Sequence, residues 1–169
     1  MKQILSLIFL TALAGFANAQ NQIPMIINQE AHVVQTEEIF IDATPEKVWE
    51  VLIHIENWDD WNSRISTPIL YGKPEIGSTF TWKTNGSKIK SRIHTLQPTQ
   101  RLGWTGKTFG ATAIHNWYIA SSGNGTSAKV EESMEGWIIG LMKKKMNRIL
   151  ADDMPYWLEQ LKTESEKNR

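Results

Sequence analysis

The chain has 169 residues, 41% hydrophobic and 21% charged, a size and balance that suit one globular domain around one core. Eighteen basic residues face eighteen acidic ones, which argues against the cationic surface a nucleic-acid binder needs to neutralise phosphates. Cysteine is absent, which removes thiol nucleophiles, thiolate metal sites and disulfides together and leaves packing to hold the fold.

Lys2 is followed by an apolar run from Ile4 to Phe16 and then by Ala17-Asn18-Ala19. A run this short, ending in a small-x-small triplet, predicts a secretory signal peptide over 1–19, cleaved after Ala19, and hence a periplasmic or secreted protein. No other stretch is long and apolar enough to suggest stable membrane insertion after cleavage. Residues 20–32 are polar and mixed and read as a flexible lead-in to a domain over 33–165.

Val33 to Ile41 alternates as a strand does, with Val33, Phe40 and Ile41 as inward candidates. Thr44-Pro45-Glu46 then opens a helix: a capping hydroxyl, a proline with the right φ for the first turn, and a carboxylate at the positive end of the dipole. Val48, Trp49, Leu52 and Ile55 follow at helical spacing, and Trp58 and Trp61 sit on a second short helix or turn.

From Ile65 onward the period becomes two, with turn residues every few positions. Strands are predicted over 69–71, 78–84, 88–95, 101–105, 109–120 and 127–136. Linkers this short allow only antiparallel hairpins. The strand from Lys88 alternates most clearly: Lys88, Lys90, Arg92 and His94 on a solvated face, Ile89, Ser91, Ile93 and Thr95 on a covered one. Asn85-Gly86 and Asn124-Gly125 lie within glycosylation triplets but read as two-residue hairpin turns.

Ile138, Met142, Met146, Ile149, Met154, Trp157 and Leu161 keep helical spacing, giving a long C-terminal amphipathic helix that Pro155 should kink. The Lys143-Lys144-Lys145 run beside that stripe reads as a solvated helix face, with contact to an anionic membrane as the alternative. The order is strand, two short helices, six strands, long helix. That is an α+β chain with about seven antiparallel strands curved around the last helix.

Ala43-Thr44-Pro45-Glu46-Lys47-Val48-Trp49-Glu50-Val51-Leu52 resembles the opening helix of the START-like (SRPBCC, Bet v 1-like) superfamily, in particular its polyketide cyclase/dehydrase-like branch. Trp58-Asp59-Asp60-Trp61 is similar to that family's Trp-x-x-Trp turn, and Leu102-Gly103-Trp104-Thr105-Gly106 and residues 126–136 sit where relatives carry like segments. His54 departs from the pattern, since many relatives carry Asp there. The resemblance implies a helix-grip fold with a deep cavity between sheet and long helix. It also implies an apolar ligand such as a lipid, a polyketide or an aromatic, with cyclisation or dehydration in some members.

Candidate ligand contacts are Trp58, Phe80, Trp82, Ile89, Ile93, Trp104, His115, Trp117, Glu132, Met134, Met142 and Met146. Aromatic walls suit a flat apolar ligand and thioethers adapt to varied shapes. Trp49 and Trp157 are read as core fillers. A two-residue turn at Asn124-Gly125 would place Trp117 opposite Glu132 and His115 opposite Met134, leaving Glu132 and His115 as diagonal neighbours on the inner face. Shifting that turn by two residues is expected to oppose them directly. Such a pair could move a proton or only orient a ligand hydroxyl.

The four histidines lack the spacing of a helical zinc motif, and no phosphate loop, dinucleotide fingerprint or nucleophile elbow occurs, so neither metal nor cofactor is expected. The expected function is non-catalytic binding of an apolar small molecule. The alternatives are a cyclase or dehydratase using Glu132 and His115, and an interaction module with a vestigial cavity below roughly 300 Å³.

Overall fold

The computed structural model of the chain describes residues 24–167. The signal peptide expected over 1–19 lies outside the described residues.

Strand β1 (Val33–Ile41) is followed by α1 (Pro45–Ile53), a 3-10 turn (Ile55–Asn57) and α2 (Trp58–Trp61). Then come β2 (Ser66–Tyr71), β3 (Thr79–Thr84), β4 (Ser87–Gln97), β5 (Arg101–Thr108), β6 (Ala111–Ser122) and β7 (Gly125–Glu135), with α3 (Trp137–Leu141) and α4 (Lys143–Ser165) closing the chain. The seven strands form one sheet in the order β1-β7-β6-β5-β4-β3-β2, antiparallel at every step. Leu150, Met154, Trp157, Leu158 and Leu161 of α4 join the inner residues of the sheet in one core cluster, which is the helix-grip arrangement.

The local reasons are those visible along the chain. The Thr44 hydroxyl accepts from the Lys47 amide at 3.3 Å, Pro45 takes the first turn of α1, and Val48 and Leu52 are fully buried. Trp58 Nε1 donates to the Leu52 carbonyl at 3.0 Å, which fastens α2 to the last turn of α1. His54 ends α1 with its ring exposed, 3.2 Å from the Glu56 carboxylate.

Four details of the reading change. Phe40 is 45% exposed, because Val33 and Ile41 are an even number of residues apart and share the inner face that Phe40 cannot reach. Asn85-Gly86 is a two-residue turn with both residues at positive φ, but the β6–β7 turn is Gly123-Asn124, with positive φ at Gly123. Gly125 serves a close approach instead: a Cβ there would lie 2.4 Å from the Ile41 carbonyl oxygen. β4 carries a bulge at His94, after which Leu96 pairs with Leu102 and Thr95 with Gly103. Leu96 therefore takes the inner face, and Thr95 joins His94 on the outer one. Finally, the C-terminal helix breaks at Met142 into α3 and α4, next to Gly140, a weak helix former.

The described part of the lead-in, residues 24–32, is tied to the outer face of the sheet. Ile27 is buried, the Asn28 amide donates to Ser133 Oγ at 3.1 Å, and Asn116 Nδ2 donates to the Met25 carbonyl at 3.0 Å.

Candidate functional site

Register sorts the inner face of the sheet into rows that run across the strands. One row holds Leu96, Leu102, Trp117 and Val130; the next holds Ile93, Trp104, His115 and Glu132; the third holds Ser91, Gly106, Ala113 and Met134. Side-chain volume collapses between the second row and the third. Along β5 the inner face reads Leu102, Trp104, Gly106, and along β6 it reads Ile119, Trp117, His115, Ala113, Ala111. A uniform gap between sheet and helix cannot be filled equally by tryptophan and by alanine.

The interior accordingly has two parts. Trp58 stands at the centre of the filled part, with ring centroids 5.5 Å from Phe80, 6.0 Å from Trp82, 5.2 Å from Trp104 and 5.4 Å from Trp157. Several of these contacts are edge-to-face, the favoured aromatic geometry. Beyond the Trp104 row lies a cavity of about 400 Å³. Its floor is Ile89, Gly106, Ala113 and Met134, its roof is Ile138, Met142, Met146 and Ile149, and its end wall is Trp82, Trp104, His115 and Trp157. That volume is above the roughly 300 Å³ below which a sizeable ligand would not fit.

Glu132 and His115 sit where the two parts meet. They are directly opposed in the β6–β7 ladder, the outcome of moving the turn to Gly123-Asn124, and Trp117 faces Val130. His115 Nδ1 is 2.6 Å from Glu132 Oε2, and the imidazole stacks on Trp104 at 4.4 Å and 11°. His115 is 3% exposed, while the Glu132 side chain keeps 13% of its surface open. In the tautomer whose Nδ1 donates to the Glu132 carboxylate, Nε2 is an acceptor. Nε2 of His115 and Nε1 of Trp157, one acceptor and one donor, are buried without a hydrogen-bond partner among the described residues, and both residues line the cavity. By contrast the indole of Trp82 is satisfied by Ser91 Oγ at 3.1 Å.

One end of the cavity mouth is held by polar contacts. The Arg64 guanidinium lies 2.8 Å from carboxylate oxygens of Asp152 and Asp153 and 3.9 Å above the Tyr156 ring. Asn85 Nδ2 donates to Asp153 at 2.6 Å, joining the β3–β4 turn to α4.

Of the residues singled out from the sequence, Trp82, Ile89, Trp104, His115, Glu132, Met134, Met142 and Met146 line the cavity. Trp58, Phe80, Ile93 and Trp117 do not; they are buried against other rings of the filled part or beneath it. Trp157, read as a core filler, forms part of the end wall, and Trp49 is half-buried against the core. Gly106 and Ala113, which make the space, were not singled out, although a small residue in phase with Leu102 and Trp104 or with Trp117 and His115 was visible in the sequence.

The family model described as "Polyketide cyclase / dehydrase and lipid transport" matches residues 32–166. No curated protein matches the chain. Among solved structures it is similar to a hypothetical protein from Helicobacter pylori, at 16% identity and a TM-score of 0.74, over 98% of this chain and 99% of that one. It is similar to a START superfamily protein from Mycobacterium smegmatis, at 12% identity and a TM-score of 0.69, over 80% and 99%. The di-domain ARO/CYC protein StfQ of the steffimycin biosynthetic pathway aligns at 13% identity and a TM-score of 0.69, over 80% of this chain, which spans 51% of that one.

Proposed function

This chain belongs to the polyketide cyclase/dehydrase and lipid transport family, and from that footing we propose that it is an exported, non-catalytic carrier or sensor of an apolar small molecule. The ligand occupies the cavity of about 400 Å³, and the carrying observation is the drop from tryptophan to glycine and alanine along the inner faces of β5 and β6. Burying the ligand against Ile89, Ala113, Met134 and Met146 drives binding, at roughly 25 cal/mol per Å² of apolar surface removed from water. Glu132 supplies the polar anchor. One of its oxygens is engaged by His115, so the carboxylate can accept a further hydrogen bond from a ligand hydroxyl, amine or amide. Export rests on the apolar run and the Ala17-Asn18-Ala19 triplet at the start of the chain.

Native mass spectrometry of the chain purified from its host tests this reading. The expected result is a small molecule retained above the protein mass and extractable into apolar solvent. Bare protein that also fails to take up anilinonaphthalene sulfonate would sink the proposal.

A second reading is favoured by one observation, the 2.6 Å contact between His115 and Glu132 at the cavity wall. A histidine oriented by a carboxylate can take a proton from a ligand hydroxyl or from a carbon next to a carbonyl, which is the first step of a cyclisation or dehydration. Turnover that survives both Glu132→Gln and His115→Ala would remove this reading.

A further inference from the structure

Three large apolar side chains stand in water at one end of the molecule: Phe109 is 78% exposed, Trp137 62% and Leu141 78%. Such residues scattered singly need no explanation, but these are contiguous. Phe109 forms the tip of the β5–β6 hairpin, and its ring meets the edge of Trp137 at 5.6 Å. Trp137 lies across Gly110, where a Cβ would be 2.8 Å from the indole, so the missing side chain at the turn is what lets the ring settle there. Leu141 is four residues further along α3 and shares the face that carries Trp137.

Cations border the patch. Lys143, Lys144 and Lys145 begin α4 immediately after it, and Lys107 precedes Phe109 on the hairpin; all four are exposed, and none is in an ion pair among the described residues. Lys129 is paired with Glu131 and Lys162 with Glu166, whereas Lys73, Lys83, Lys88 and Lys90 on the β2–β3 and β3–β4 side of the sheet are unpaired among the described residues; what sets the four lysines here apart is that they adjoin exposed apolar rings. In a chain with equal numbers of acids and bases, four unpaired ammonium groups around an exposed Trp-Phe-Leu cluster are a local departure from neutrality. The patch also rims the cavity: Lys107, Phe109, Ile138, Met142 and Lys145 line it.

We propose that this end of the molecule docks on the surface of an anionic lipid bilayer, with Phe109, Trp137 and Leu141 in the interface and the lysines at the headgroups. Aromatic side chains favour that boundary, and lysine attraction to anionic headgroups adds to their burial. Docking is peripheral, since no helix among the described residues is long and apolar enough to cross a membrane. It places the cavity mouth against the lipid, so an apolar ligand can enter or leave without crossing water. The docking itself needs no cavity ligand, so the carrier reading can fail while this one stands.

The test is co-sedimentation of the full chain with vesicles of phosphatidylcholine, alone or containing one quarter phosphatidylglycerol. Parent and variants carry the same first 23 residues, so any contribution from those cancels. Partitioning should be at least about tenfold stronger on the anionic vesicles and weaken with salt. Lys143→Glu with Lys144→Glu should remove that preference, and Leu141→Ser or Trp137→Ser should lower binding to both vesicle types. All these positions are exposed, so an unchanged melting temperature certifies the fold. Equal partitioning of parent and variants would overturn the proposal. So would a concentration-dependent dimer, formed without vesicles and abolished by Leu141→Ser, because the patch would then be the seat of a second copy.

Discussion

The two parts of the interior are built on the same strands by the same alternation, yet one is solid and the other hollow. On the solid side Trp58 of α2 is inserted among Phe80, Trp82, Trp104 and Trp157, and the indoles of Trp58 and Trp82 donate to the Leu52 carbonyl and to Ser91. On the hollow side Gly106 and Ala113 face Met142 and Met146 across a gap of about 400 Å³. The difference teaches that a cavity in this fold is written as a step in residue size along two neighbouring strands. The step is placed in register, so that small residues oppose small residues. The solid part holds the fold and the hollow part is free to serve a ligand.

The largest expected effect tests the solid side. Trp58→Ala removes a fully buried ring with four aromatic neighbours and should cost about 3–5 kcal/mol in urea unfolding. A loss below ~1 kcal/mol would mean that the ring cluster does not carry the fold. A sharper contrast uses one residue type on one helix. Both methionines touch the cavity, but Met154 is fully buried in the core, whereas Met146, two turns earlier on α4, is only partly buried at the core's edge. Met154→Ala should cost about 2–5 kcal/mol and Met146→Ala below ~1 kcal/mol, because the second side chain is less buried and its loss mainly enlarges a space already open. Equal losses would erase the distinction between the two parts.

The reverse experiment fills the hollow side. Ala113→Phe projects a ring from the cavity floor into the gap, so stability should change by less than about 1.5 kcal/mol in either direction. Uptake of the apolar dye, or of the ligand found by mass spectrometry, should fall at least ~tenfold, equivalent to about 1.4 kcal/mol. Undiminished uptake would place the ligand elsewhere.

Much of this was legible in the chain. The Thr44-Pro45-Glu46 start, the alternation of β4 and the stripe on α4 each rest on local periodicity, which a sequence displays directly. The proximity of His115 to Glu132 also came through, as direct opposition instead of the diagonal expected, since an error of one residue in the turn moved the partners by two residues and kept them on one face. Less visible was which rings touch space and which touch each other. Trp58 reads as a ligand contact and Trp157 as a core filler, and only the placement of α2 and α4 makes the first a hub and the second a wall. The anchoring of residues 24–32 was invisible for a different reason: it runs through backbone groups and Asn28 and Asn116, which leave no hydrophobic period.

The smallest expected effect concerns the outer side of the solid part. His94 occupies the β4 bulge, its ring packs where Gly103 has no side chain, and its Nδ1 is 2.9 Å from the Thr95 hydroxyl. Burial pushes its pKa down to about 4, a backbone hydrogen bond with Trp104 opposes that, and the nearby His115 adds to it. The unfolded chain, with histidine near 6.5, therefore binds more protons than the native state between pH 6.5 and 4. Stability is retained above pH 6.5, falls as the pH drops through that window, and levels off with respect to this group below about 4. His94→Gln keeps a polar side chain without the titration, so its melting temperature should fall less than the parent's between pH 6.5 and 4, by at least ~3 °C. Because Gly103 is the immediate neighbour of Trp104, the parent's near-ultraviolet tryptophan signal should loosen over the same window, while dye uptake on the hollow side holds until the fold itself is lost. Parallel melting curves for parent and variant would show that the histidine is not the sensitive group, and that acid reaches both parts of the interior alike.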